Sequence, residues 1–249
     1  MIWLAAVCLV VGALIGAVGV GGILLIPALN WLGGLAIHQA MATALFSFIF
    51  TGIVGTWLFQ RRGSIDWSVT VPVCAGAVFF GFAGAWANSK INAPALSLIL
   101  ACLIAFAGVY TLSSHTREGH EPFQDRPRLR QALLTGIGAV AGFGSGLTGV
   151  GGPALSVPIM VLARFSPLIA IGASQVVQII AAVSGTAGNL QYGSIDFRVA
   201  ALITVFEVLG VQLGVRIVHS VNAQSLRRFV GVLCIVVGTG LTVRVLATW

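Results

Sequence analysis

Residues 37–59, 68–89, 94–112, 168–190, 198–219 and 229–248 form six apolar runs. Each comes close to the roughly 20 residues that cross a bilayer as an α-helix. Backbone N–H and C=O groups cannot stay unpaired in hydrocarbon, so only helices and closed barrels span it. Barrel strands are short and alternate apolar with polar residues; these runs do not alternate. Charged residues make up 8% of the chain, against about 25% in a soluble domain. The fold class expected is an all-α integral membrane protein, multi-pass, in a cell membrane and for a bacterium the inner one. The N-terminus lacks the basic region of a cleavable signal, so Met1–Gly16 is expected to be retained.

The chain also repeats itself. Gly19-Val20-Gly21-Gly22 recurs as Gly149-Val150-Gly151-Gly152, Gly63-Ser64-Ile65-Asp66 as Gly193-Ser194-Ile195-Asp196, and Gly55-Thr56 as Gly185-Thr186, all at a spacing of 130. One common offset means a duplicated unit. The halves are 1–112 and 131–249, joined by a polar linker, 113–130, that holds four Arg, three acidic residues, two His and two Pro. Each half opens with an apolar stretch, a glycine break and a short apolar piece, then three longer helices. The opening stretch 2–33 has two possible courses. A bent crossing would give parallel repeats, and a hairpin entering and leaving on one side would give inverted ones.

Lys and Arg orient membrane proteins towards the cytoplasm. In the inverted scheme Arg61, Arg62, Arg117, Arg126, Arg128, Arg130, Arg164, Arg216, Arg227 and Arg228 are cytoplasmic, against Lys90, Arg198 and Arg244 outside, a split of 10 to 3. The parallel scheme gives 8 to 5. Inverted repeats are preferred. The net charge of +7 follows from these loop and helix-end cations, which meet anionic lipid. It forms no clustered face for nucleic acid.

Glycine lets the backbone leave helical geometry without a Cβ clash. A helix that restarts after such a break presents unpaired N–H groups and the positive end of its dipole, which suits an anion. Pro153, directly after Gly152, fits a first helical position, and Pro27 and Pro158 resist continuous helix further on. Duplicated units with broken segments point to a transporter whose site lies at the repeat interface. The bland alternative is close helix packing through small residues. On the first reading Gly19, Gly21, Gly22, Gly149, Gly151 and Gly152 bind substrate.

The paired Gly-Val-Gly-Gly motifs followed by proline, and Arg61-Arg62-Gly63-Ser64-Ile65-Asp66-Trp67, resemble the sulfite exporter TauE/SafE family of membrane permeases. The similarity spans nearly the whole chain, including the variable linker. It implies transport of an anionic sulfur compound, such as sulfite, sulfoacetate or another organosulfonate. Many members carry a third glycine after the motif; Ile23 and Pro153 stand there in this chain.

Polar side chains on the following helices are candidates to complete the site. Thr43, Ser47 and Thr51 recur every four residues and share a helix face. Ser174, Gln175 and Gln178 sit on the equivalent helix, with Ser174 aligned to Ala44 and Gln178 to Phe48. Hydroxyls and amides can donate to sulfonate oxygens at less burial cost than charges. They can also bond to neighbouring helices or to their own backbone. Glu207 is the acidic residue well inside an apolar run, and it aligns with Ala77. An intramembrane carboxyl is a functional hypothesis by default, here proton coupling; the structural alternative pairs it with Arg216 or Gln212.

The rest reads as structural. Asp66 and Asp196 suit helix caps, and Trp3, Trp31, Trp57, Trp67, Trp86 and Trp249 suit interfacial anchors. Cys8, Cys74, Cys102 and Cys234 lie in apolar segments as small hydrophobes. No metal-ligand spacing, phosphate loop or nucleophile with a buried base stands out. No metal, cofactor or enzymatic activity is expected. The partners expected are a small anion and membrane lipid; a homodimer is left open. The function expected is gradient-driven transport by alternating access. A carboxylate permease, an anion channel and a membrane scaffold are the rivals.

Overall fold

A computed structural model describes residues 2–18, 21–113 and 126–217, with 232, 235–236, 238–240 and 242–243 beyond them. Gly19 lies outside the described residues, as do Arg117, Arg227, Arg228, Arg244, Cys234, Trp249 and most of the run 229–248. The elements are α1 (Ile2–Val18), a 3₁₀ turn (Gly21–Leu24), α2 (Leu25–Trp31), α3 (Ile37–Arg61), α4 (Trp67–Lys90), α5 (Ala93–Ser113), α6 (Pro127–Thr148), α7 (Pro153–Leu162), α8 (Pro167–Tyr192) and α9 (Phe197–Ile217). Among the described residues there is no strand. Five helices (α3, α4, α5, α8 and α9) are long and apolar enough to cross a membrane. The helix starting the second half begins at Pro127, four residues before the expected start at 131. Proline's fixed φ suits a first helical turn, and the arginines there can reach water along their apolar stems.

The opening stretches are hairpins. Trp3, Val7, Val10 and Leu14 of α1 line one groove of about 470 Å³ with Leu24, Pro27, Ala28 and Trp31, so α2 runs back along α1. In the second half the Arg130 guanidinium, at the start of α6, lies 5.9 Å from the Phe165 ring centroid, just past α7. The chain has again returned to its entry side.

Glycine contacts give the helix directions. Side chains added at Gly138, Gly142 and Gly146 of α6 would strike Val73, Ala77 and Gly81 of α4 in that order, so α6 and α4 run parallel. Gly12 and Gly16 of α1 meet Glu207 and Val211 of α9, so that pair is parallel too. By contrast, Gly52 of α3 faces Gln175 and Ile179 of α8, while Leu45, earlier in α3, faces Gly185, later in α8. The central pair α3 and α8 is therefore antiparallel. Small residues every fourth position let the backbones approach this closely.

The two Gly-Ser-Ile-Asp turns are capped. The Asp66 carboxylate accepts from the Ser68 N–H at 2.8 Å, and Asp196 accepts from Arg198 and Val199, each at 3.0 Å. Trp3 is 80% exposed, and Trp31, Trp57, Trp67 and Trp86 are exposed as well, where interfacial anchors belong. Arg62 donates to the Val215 carbonyl at 3.3 Å, joining the C-terminal ends of α3 and α9. His38 Nε2 lies 3.0 Å from the Ile91 carbonyl, joining the start of α3 to the end of α4. Among the described residues, one end of the bundle thus holds Arg61, Arg62, Arg126, Arg128, Arg130, Arg164 and Arg216; the other holds Lys90 and Arg198. Ser64 and Ser194 sit in turns at these opposite ends. Single cysteines at Ser64 and Ser194, in a background without native cysteines, should label from opposite sides of the membrane. Labelling from the same side would overturn this topology.

Candidate functional site: two hairpin tips around Phe48

The second tip is set by two left-handed glycines. Gly149 has φ +68° and Gly151 φ +86°, values that L side chains rarely adopt. The Gly149 N–H donates to the Ser145 carbonyl at 2.8 Å and closes α6, as a left-handed C-terminal residue does. Helix α7 restarts with Pro153 at its first turn. The N–H groups of Val150, Gly151 and Gly152 bond to no other described residue. In the first half Gly21 folds against α1, and a Cβ there would lie 2.5 Å from the Val11 carbonyl oxygen. The restart is weaker here: a 3₁₀ turn leads into a helix of seven residues.

The two tips meet. A Cβ on Gly22 would lie 3.2 Å from the Val150 carbonyl oxygen and 2.8 Å from Phe48 Cζ. One on Gly151 would lie 3.1 Å from Phe48 Cδ2. The Phe48 ring, 1% exposed, is therefore packed between both tips. Gly152 faces Val177 and the Gln178 backbone on α8. Sequence reasoning missed Phe48. Its signal was its alignment with Gln178, because Gln178 bonds to this counterpart: Nε2 donates to the Phe48 carbonyl at 3.1 Å and to Thr51 Oγ1 at 2.8 Å.

The polar residues expected on one face do different things. Thr43 Oγ1 accepts from the Asp196 N–H at 3.1 Å, at the α8–α9 turn. Ser47 donates to the Ala44 carbonyl at 2.8 Å and Ser174 to Ile171 at 2.7 Å, each within its own helix. Thr51 joins Gln178. Gln175 is fully buried opposite Gly55, and neither amide atom has a described partner. A buried polar group left unpaired is costly and invites a water, ion or ligand. Glu207 is fully buried too, and neither oxygen has a described partner, so pairing with Arg216 or Gln212 does not occur among the described residues. No group of three His, Cys, Asp or Glu able to hold a metal occurs among the described residues.

The free backbone N–H groups at the start of α7 thus lie against α8 at Val177 and Gln178. Such groups can replace the hydration of an anion without a fixed cation.

The profile of the family described as sulfite exporter TauE/SafE matches residues 4–241. The chain is similar to "Probable membrane transporter protein YdhB" of Bacillus subtilis, 26% identical, with 84% of this chain and 87% of that protein covered. It is also similar to "Probable membrane transporter protein YunE" of the same organism, 24% identical over 92% and 91%. A "Probable membrane transporter protein" of Xylella fastidiosa is 26% identical over 91% and 89%. No solved structure matches.

Proposed function

The chain belongs to the sulfite exporter TauE/SafE family, and from that premise we propose that it is a secondary transporter of a small anion, sulfite or an organosulfonate such as sulfoacetate. The observation that carries this reading is the meeting of two glycine-broken hairpin tips, from opposite ends of the bundle, at Phe48. The opposite directions of α3 and α8, helices 130 residues apart in sequence, support inverted repeats. Inverted repeats supply alternating access by letting each half take the other's conformation in turn. The anion would bind at the N–H groups of Val150–Gly152, beside Gln178 and Gln175, with Gly21 and Gly22 as the facing wall. The Phe48 ring would move aside to admit it. The sequence shows no ATP-binding motif, so an ion or substrate gradient would drive transport.

Purified protein in liposomes should exchange radiolabelled sulfite with saturation and counterflow, and sulfoacetate should compete better than acetate or succinate. Flux that neither saturates nor shows counterflow would indicate a channel. Stronger competition by the carboxylates would indicate a carboxylate permease. Absence of flux for every anion tested would overturn the transport reading.

A further inference from the structure

We propose that Glu207 is a proton-binding site distinct from the hairpin tips, and that a proton bound there travels with the anion. The proposal rests on the anion-transport reading for its coupling, but not for the site itself.

Glu207 sits midway along α9, where α9 packs on α1 and α3. Gly12 of α1 leaves no room for a Cβ against the Glu207 backbone, so the two helices touch at this level. The carboxyl is 0% exposed. From α1 the titratable group near it is the Cys8 thiol; α1 carries no charged residue. From α3 the nearby polar group is Ser47, and no hydrogen bond joins it to the carboxyl. The titratable residues of α3, His38 and Arg61, are at its two ends, and His38 contacts the Ile91 carbonyl. On α9 itself Arg198 and Arg216 are each nine residues away, roughly 13 Å along the axis. No cation therefore faces the carboxyl from these helices.

The hydrogen-bonding geometry suits the acid form. Ser47 commits its proton to the Ala44 carbonyl, so towards a neighbouring carboxyl its oxygen can only accept. A carboxylate only accepts, whereas a carboxylic acid can donate to that oxygen. On ionisation the hydroxyl can turn and donate to the carboxylate, releasing Ala44. That turn of α3 is the one that presents Phe48 to the hairpin tips. The two protonation states therefore favour different hydrogen bonds one residue from the plug between the tips.

Charge sets the sign of the coupling. An anion at the tips and a carboxylate on Glu207 repel inside a low-dielectric bundle. Protonation removes that repulsion, and by linkage each ligand raises the affinity for the other. A proton from the water on one side forms an O–H bond on Glu207. The loaded protein reorients, and the bond breaks to water on the other side. This is symport.

The test uses the full chain in liposomes, with sulfoacetate and sulfite as probes. The infrared spectrum of wild type minus Glu207→Gln should show a protonated-carboxyl band at acid pH that vanishes as pH rises. Sulfoacetate should move that loss to higher pH. Glu207→Gln should reduce accumulation driven by a pH gradient about tenfold or more, with exchange at equal pH still measurable. A band that never titrates, or no band at all, would overturn the proton site. Gradient-driven accumulation retained in Glu207→Gln, or a band indifferent to both probes, would overturn the coupling. Wild type that exchanges neither probe would refute the anion reading, while the infrared titration would still decide the site.

Discussion

Replacing Gly151 with valine should cut anion exchange in liposomes at least tenfold while the protein still inserts and purifies as a single species. Gly151 holds φ +86°. A left-handed conformation costs an ordinary L residue about 1–2 kcal/mol, and a β-branched side chain adds its own restriction at χ1. The new Cβ would also press on Phe48 Cδ2 at 3.1 Å. The tip must distort, and the N–H groups of Val150–Gly152 are displaced with it. Since about 1.4 kcal/mol is a factor of ten in binding, a loss of at least tenfold in exchange is expected. Gly151→Ala, with the same backbone strain but less bulk, should fall between valine and wild type. Sulfite binding unchanged in Gly151→Val would remove the anion from this tip.

The second large effect concerns stability. Gly138→Leu should prevent recovery of folded protein, while Gly136→Leu, two residues earlier on the same helix, should be harmless. A Cβ at Gly138 would run into the Val73 carbonyl of α4, whereas a Cβ at Gly136 meets nothing within 4 Å. Over-packing costs about 1–3 kcal/mol where side chains can yield. The obstacle at Gly138 is backbone, so α4 and α6 must separate along their whole parallel seam and the cost should exceed that range. Gly136→Leu removes a glycine from a helix interior and should gain up to about 1 kcal/mol. Thermal unfolding in detergent checks both. Equal melting temperatures for the two variants would show that the α4–α6 seam does not depend on this approach.

Much of the architecture could be read from the chain. Helices near 37–59, 68–89, 94–112, 168–190 and 198–219 fall within a few residues of α3, α4, α5, α8 and α9. Asp66 and Asp196 cap where a short acceptor after a glycine turn must. The site was legible only in part. Thr43, Ser47 and Thr51 share a helix face by spacing, yet their partners differ: the Asp196 N–H, the Ala44 carbonyl of their own helix and Gln178. Periodicity reports which way a side chain leaves its own helix and says nothing of what waits there. Phe48 escaped notice because an apolar residue in an apolar run carries no local signal.

Hydrophobic length, glycine breaks and turn chemistry are local or additive along the chain, so the sequence by itself determined a helical membrane protein with broken segments at 19–22 and 149–152 and basic residues that favour one face. Whether each broken segment crossed or doubled back was left to charge counting, because either course buries the same apolar residues. Only the tertiary structure decided that both double back, that their tips meet at Phe48, and that Glu207 and Gln175 are left without described partners. The meeting of the tips depends on contacts between residues more than a hundred positions apart, such as Gly22 with Val150 and Gly151 with Phe48. They were settled by how closely glycine-lined helices can approach.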